Sequence, residues 1–336
     1  MTDLALPAPG TAHDAALGAV LGALAGDAVG AVLEFHGRAP KPAEVQRALR
    51  FPGGGIWRVA PGQVTDDGEL TLCQLQALAE SPVFSLDHVA MWYGRWIRSR
   101  PFDLGNATSA GLGPAQQWAD GVSAGLAARM RLAASRASAG SKANGALMRA
   151  SPLGVWGHRL DDDTLAECAR ADASLTHPNV ACGDAVAAYA IAVASLVRAP
   201  GDRAQAWARA CAWAARAAID EVRDWLGAAE RDERPEFAVQ IGFVRHGFVE
   251  AFRQLRRGSD WATAVGETLL GGGDTDTNAC IVGGLVGAAC GAGALPPNAI
   301  TAVLSCDTAA GRERPEWLHP RLAPEAVARA LGANAP

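Results

Sequence analysis

The chain has 336 residues, 49% of them hydrophobic and only 19% charged, which allows a large buried core and excludes the disordered and low-complexity classes. Its formal net charge is -5 and its arginines are scattered instead of striped, which argues against a nucleic-acid groove. Seven cysteines, an odd number with no CxxC spacing, fit a reducing compartment better than a disulfide framework.

In chain order, the opening segment MTDLALPAPGTAHD carries acids where a secretory signal needs a basic region, so a cytoplasmic location is expected. Apolar residues then recur at helical spacing over 15–33, 69–80, 85–99, 162–173, 178–198, 202–218, 236–256, 259–270 and 277–292. Pro-Gly segments at 52–55, 61–62, 200–201 and 296–297 punctuate these runs, and the alternation expected of strands is almost absent. The fold class is therefore all-α: one compact multi-helix domain spanning 1–336, with its core at about 12–305 and a tail on each side. No motif recurs at solenoid spacing. The stretches 15–33 and 279–295 are apolar enough to raise a membrane question, but Ala and Gly dominate both and Asp27 interrupts the first. Close-packed buried helices are expected instead, with no membrane partner. Gly18, Gly22, Gly26 and Gly30 share one helix face, where another helix can approach closely.

Three acidic segments stand out. Thr65-Asp66-Asp67-Gly68-Glu69 precedes a periodic apolar run and sits at a helix N-terminus. Taken alone it reads as a cap, with Thr or Asp accepting backbone N–H bonds and acids favoured by the helix dipole. The second segment, Gly271-Gly272-Gly273-Asp274-Thr275-Asp276-Thr277-Asn278, offers several oxygens from one turn, the donor set of a hard divalent cation such as Mg²⁺ or Mn²⁺. An EF-hand fails on spacing, because Leu285 stands where its bidentate acid belongs, and no Cys/His cluster suits zinc. In the third, Glu34 ends an apolar helix, and Asp27, if buried, must be hydrogen-bonded and can brace the loop that follows.

These segments, with GDAVGAVLEF at 26–35, GQVTDDGE at 62–69, DLGNAT at 103–108, ANGALMR at 143–149, THPNV at 176–180 and GGDTDTNACIVGGLVGA at 272–288, stand in one order from about 15 to about 300. In that order and spacing the chain resembles the ADP-ribosylglycohydrolases, including the dinitrogenase reductase-activating glycohydrolases. The resemblance implies an all-helical domain with two divalent cations, Mg²⁺ or Mn²⁺, in a cleft. It implies Thr65, Asp66, Asp67, Asp274, Asp276 and Thr277 as their ligands, with Thr275 pointing away. The implied reaction is hydrolysis of the glycosidic bond at C1 of the distal ribose, through a transition state with oxocarbenium character. Glu34, or a metal-bound Asp such as Asp67 or Asp276, is expected to move the proton.

Substrate contacts follow from the same resemblance. Gly140, Ser141, Lys142, Asn144 and Gly145 offer a flexible backbone, a hydroxyl and a cation just before a helix, an expected cradle for the diphosphate, though by themselves they read equally as an ordinary capped loop. Lys142 stands where some relatives carry an aromatic beside adenine. His177, which alone reads as a structural residue, becomes a ribose or phosphate neighbour. Asp103 resembles an acid near the leaving group and suits a guanidinium. Gly68 departs from the Thr of many relatives and bears on hydrogen bonds behind the ligands. The expected substrate is ADP-ribosyl-arginine on protein, before ADP-ribosyl-serine or a free ADP-ribose derivative, and the chain is expected to act as a monomer. A catalytically silent binding or structural protein would have lost ligands, and all six positions are present.

Overall fold

The computed structural model describes residues 6–119 and 121–333, so the first five residues of the acidic N-terminal segment lie outside it. The helices run α1 (Ala12–Gly30), α2 (Pro42–Ala48), α3 (Asp66–Ala79), α4 (Leu86–Arg98), α5 (Asn106–Leu112), α6 (Leu126–Ser138), α7 (Ser151–Trp156) and α8 (Asp162–Ala173). They continue as α9 (Val180–Arg198), α10 (Arg203–Ala217), α11 (Asp220–Glu230), α12 (Val244–Arg257), α13 (Trp261–Leu269), α14 (Thr275–Cys290), α15 (Pro297–Leu304) and α16 (Ala323–Ala333). Among the described residues, extended pairing is limited to two isolated bridges, Gly54 with Val59 and Ala143 with Phe243. The fold is all-α.

The organising contact is an antiparallel pair, α1 against α14. A Cβ added at Gly18, Gly22 or Gly26 would overlap the carbonyl oxygen of Gly287, Gly283 or Ala279, and one at Gly30 would overlap the Asp276 backbone. Gly283 and Gly287 meet Gly22 and Gly18 in the same way. Glycine weakens a helix by about 1 kcal/mol relative to alanine, so this string persists because a closer interhelical approach compensates. Both helices are apolar all round, and nearly every residue of each is buried.

Helix α9 passes behind this pair. It is long and apolar enough to cross a membrane, and 94% of its apolar window is buried inside the fold.

The structure departs from periodicity in three places. The run expected over 236–256 becomes helical only at Val244, because Gln240 and Gly242 hold left-handed backbone angles of +52° and +82° that break a helix. Helices α2, α5, α6, α7, α11, α15 and α16 lie outside the periodic runs, most of them too short to show a full apolar stripe. The core also extends beyond the expected end near residue 305. Ala326, Val327 and Ala330 of α16 are buried, with α16 packed on α3 and α1, and Arg314 holds Glu69 of α3 through two hydrogen bonds of 2.7 and 2.8 Å.

Gly22→Ala is expected to destabilise the protein by about 1–3 kcal/mol through overpacking, outweighing the roughly 1 kcal/mol gain in helix propensity. Chemical denaturation measures the change, and an unchanged or raised midpoint would contradict the packing argument.

Candidate active site

The acids expected to act together do converge, because three helix ends meet at one place. Asp27, on the last turn of α1, is fully buried and accepts from the backbone N–H of Thr65 at 2.9 Å, from Gly68 N–H at 2.7 Å and from the Thr65 hydroxyl at 2.8 Å. The N-terminus of α3 is therefore capped from another helix; Thr65 donates where a capping side chain would accept. Gly68 makes this possible, since a Cβ there would lie 2.6 Å from Asp27 Oδ2. The bracing expected of Asp27 is thus directed at the acidic loop itself.

Each remaining side chain has a fixed role. Thr275 donates to the Gly30 carbonyl at 2.9 Å, so its hydroxyl is turned toward α1 and away from the acids. Asp274 Oδ2 accepts from the Asn144 amide at 2.8 Å, and Glu34 accepts from the Trp57 indole N–H at 2.7 Å. The Thr65 hydroxyl oxygen also lies 3.1 Å from Asp67 Oδ2, sharing its one hydrogen between the two acids, while Asp67 Oδ1 is buried with no hydrogen-bond partner among the described residues.

Carboxylate oxygens of Asp27, Asp67 and Asp276 lie within 4.8 Å of one another, as do those of Glu34, Asp274 and Asp276. Asp276 belongs to both groups. Burial, reinforced by neighbouring acids, pushes Asp66, Asp67 and Asp276 well above the usual carboxylate range. Burial raises Asp27 to about 7 against the lowering effect of its three hydrogen bonds. Glu34 rises to about 8 through burial and Asp103, and Asp103 to about 6, chiefly through burial. Such a cluster must bind protons or cations. With oxygen donors only, and one buried oxygen unpartnered, it fits hard divalent cations.

The acids open into a cavity of about 730 Å³, within the range of small-molecule sites. Glu34, Asp66, Asp103, Asp274, Asp276 and Thr277 line it, together with Ser141, Asn144, Gly145 and His177; Thr65 and Asp67 stand behind the lining. No Lys or Arg is among the residues that line it.

The expected diphosphate cradle is corrected in part. Gly140 and Lys142 line a neighbouring pocket of about 620 Å³ that shares Ser141, Ala143, Ile241 and Gly242 with the main cavity. Lys142 is no free cation, because its ammonium pairs with Glu221 of α11 at 2.7 Å. The loop is also held firmly: Asn144 N–H donates to Gly242 O and Val244 N–H to Lys142 O, both at 2.9 Å. Helix α7 begins only at Ser151, so residues 140–145 do not lead directly into a helix N-terminus of their own.

His177 is buried and sits 2.8 Å from the Thr176 hydroxyl through Nδ1. Burial and the nearby Arg149 lower it to about 3, so it faces the cavity as a neutral ring. Arg149 escaped notice in the sequence although it closes the ANGALMR motif. Fully buried, it donates to Asp172 at 3.2 Å, to Thr176 Oγ1 at 2.9 Å and to Gly145 O at 3.3 Å, with its guanidinium 4.5 Å from the Tyr93 ring centroid. It ties the 144–149 turn to the His177 segment. Trp57, Phe102, Thr108, Met148 and Ile241 also line the cavity without having been singled out, since a lone aromatic or aliphatic residue in a loop carries no periodic signal.

The structure is thus an all-helical fold with a carboxylate-lined cavity that fits divalent cations. The ADP-ribosylglycohydrolase family matches residues 8–331, and the chain belongs to that family of enzymes. A chain of Acanthamoeba polyphaga mimivirus that bears the ADP-ribosyl glycohydrolase name is 28% identical over 292 residues, covering 80% of this chain and 85% of its own. The ADP-ribosyl-[dinitrogen reductase] glycohydrolase of Rhodospirillum rubrum is 33% identical over 49% of this chain and 52% of its own length. An ADP-ribosylarginine hydrolase of Pseudomonas putida is 37% identical over 31% and 29%, respectively. Among solved structures, an ADP-ribosylglycohydrolase-related protein complex superposes with a TM-score of 0.71 at 26% identity, covering 96% of this chain and 98% of that one.

An acid whose pKa is raised by folding binds its proton more tightly folded than unfolded, so stability falls as pH climbs from the unfolded value toward the folded one. With Asp103 at about 6, Asp27 at about 7 and Glu34 at about 8, the cation-free protein is expected to lose thermal stability steadily between about pH 4 and pH 8. A divalent cation at pH 8 is expected to restore it. Melting curves across that range check this, and a flat profile without cations would contradict the crowding of these acids.

Proposed function

We propose that the chain hydrolyses the bond between ADP-ribose and an arginine side chain of a modified protein, using two divalent cations, Mg²⁺ or Mn²⁺. The observation that carries this reading is the acid left over in the cavity: beside Asp66, Asp274 and Asp276, which the cations would neutralise, Glu34 and Asp103 also line it, and no Lys or Arg is among the described residues of the lining. Such a field favours a substrate whose leaving group is a cationic guanidinium. The name of the Pseudomonas relative specifies ADP-ribosylarginine, and that of the Rhodospirillum relative an ADP-ribosylated protein, which supports the same choice.

In this reading Thr65, Asp66, Asp67, Asp274, Asp276 and Thr277 hold the cations. Bound there, the cations supply Lewis acidity, orientation of ribose hydroxyls and an offset for charge in the transition state. The remaining work falls to the chain. Asn144 holds the Asp274 carboxylate in place, and Asp27 and the Thr65 hydroxyl fix the α3 acids, so ligand oxygens stay oriented without reorganisation. Glu34 moves the proton at its carboxyl, because it lines the cavity and is anchored by Trp57, whereas Asp67 stands behind the lining. His177, neutral, offers a ring nitrogen to the ribose or phosphate, and Ser141 and Gly145 present polar groups beside it.

Incubation with ADP-ribosyl-arginine, an ADP-ribosyl-serine peptide and free ADP-ribose derivatives, with Mg²⁺ or Mn²⁺ added, tests the substrate. Release of ADP-ribose from the arginine conjugate at the highest kcat/KM is expected; preference for either other substrate would replace this reading, and release from none would sink it.

Two substitutions separate ligands from proton transfer. Asp276→Ala is expected to abolish cation-dependent turnover and cation binding while the helical circular dichroism persists. Glu34→Gln is expected to lower kcat by about 10²- to 10⁴-fold with cation binding retained. Calorimetric cation titration beside steady-state kinetics distinguishes the two, and full activity of either variant would remove that residue from its role.

A further inference from the structure

We propose that Phe35, Trp57 and Phe102 form the acceptor subsite, a rim that takes the arginine side chain of an exposed segment of the modified protein. The inference rests on the function proposed above and names residues that would select the acceptor. It begins from an asymmetry in the cavity. Glu34 and Asp103 stand beside the three aromatics, Glu34 bonded to Trp57 and each acid adjacent in the chain to a ring of the group, whereas Ser141, Gly145 and His177 line the cavity without charge. A diphosphate is repelled by the acids beside the rings and tolerated by the uncharged group. The cationic acceptor belongs beside the acids and the rings.

The rings form one connected group. Phe35 and Trp57 meet edge to face with centroids 6.4 Å apart, and Trp57 and Phe102 lie 6.0 Å apart with a tilt of 58°. Core packing does not account for them: Phe35 is 61% exposed and the neighbouring Ile56 59%. Phe35 also holds a left-handed backbone angle of +55°, a costly conformation for a bulky side chain, and this keeps its ring at the mouth beside Glu34. The rim is also chemically suited to a guanidinium. The Arg312 guanidinium rests 5.3 Å from the Phe102 ring centroid, so that ring already holds one planar cation, which a substrate guanidinium would displace or join on the remaining ring surface of the rim. A substrate arginine would find ring surface for its plane and the Asp103 side chain for its N–H groups at the same place. A serine-linked acceptor offers neither the plane nor the charge.

Trp57 carries a second duty, because its indole N–H is committed to Glu34. The test therefore centres on Phe102, which is outside the hydrogen-bonded machinery. For Phe102→Leu, KM for ADP-ribosyl-arginine peptide is expected to rise about 3- to 30-fold, the range of cation–ring contacts. Its kcat and its affinity for free ADP-ribose, read by calorimetry, are expected to stay within about 2-fold, and Phe102→Tyr, which keeps the ring face, should retain the wild-type KM. Trp57→Phe is expected to show the opposite split, a lower kcat with KM kept. Should Phe102→Leu fail to fold, Phe35→Leu at the exposed end of the rim provides the same comparison. An unchanged KM, or an equal loss of affinity for free ADP-ribose, would overturn the subsite. A wild-type protein that cleaves no arginine conjugate would overturn the parent reading as well, whereas cleavage with unchanged KM in the variants would overturn the subsite alone.

Discussion

Backbone-to-backbone contact between α1 and α14 is the constraint on which the rest depends. Without side chains at Gly18, Gly22, Gly26 and Gly30 on one helix and Gly283 and Gly287 on the other, the two axes can close until carbonyls and α-carbons touch. That approach places the end of α1 against the beginning of α14. Asp27 and Asp276 then become neighbours, and Thr275 is drawn to Gly30 O. The third member, α3, joins because Asp27 serves as its cap. A packing device thus doubles as the device that aligns acids from segments some 40 to 250 positions apart.

Such an alignment is unfavourable in isolation. Buried carboxylates within a few ångströms of one another repel and cannot all ionise, as their raised pKa values record. The fold offsets this with hydrogen bonds aimed at individual oxygens, from Thr65, Gly68, Trp57 and Asn144, and leaves the residual negative charge for cations and substrate. The fully buried guanidinium of Arg149, beside the cavity, is spent on Asp172, Thr176 and the Gly145 carbonyl. It stiffens the neutral wall and leaves the acidic one uncancelled, apart from lowering His177. Charge of opposite sign is thereby kept close enough to order the loops and too well paired to quench the cleft.

Much of this was legible from residue order. The glycine string announced a close partner, and Asp27 within an apolar stripe announced a buried, hydrogen-bonded acid. The acidic loops declared themselves by clustering oxygens at helix starts. Other parts were invisible for physical reasons. That Asp27 caps α3 is a contact between residues 38 and 41 positions apart, and nothing local marks it. Lys142 read as a free cation because its partner Glu221 sits on α11, 79 positions away, and nothing local marks the pairing. The same holds for Arg314 and Glu69, joined across 245 positions, and this pairing explains why the core does not end where the motif string ends. Short helices such as α5 and α7 are stabilised by what they pack against and not by an internal pattern, so periodicity passes over them.

The pairing of α1 with α14 has a consequence for how the molecule comes into being. Synthesis proceeds from the N-terminus, and α1, apolar on every side, emerges long before residues 275–290 exist to cover it. Its glycine face must wait, shielded by early neighbours such as α3 or by chaperones, while most of the chain is made. The Arg314 clamp on α3 comes later still. The cleft is therefore among the last features to form, assembled when the late-made helices return to the first, and a chain that ends before α14 lacks Asp276 and Thr277 and leaves the glycine face of α1 without its partner.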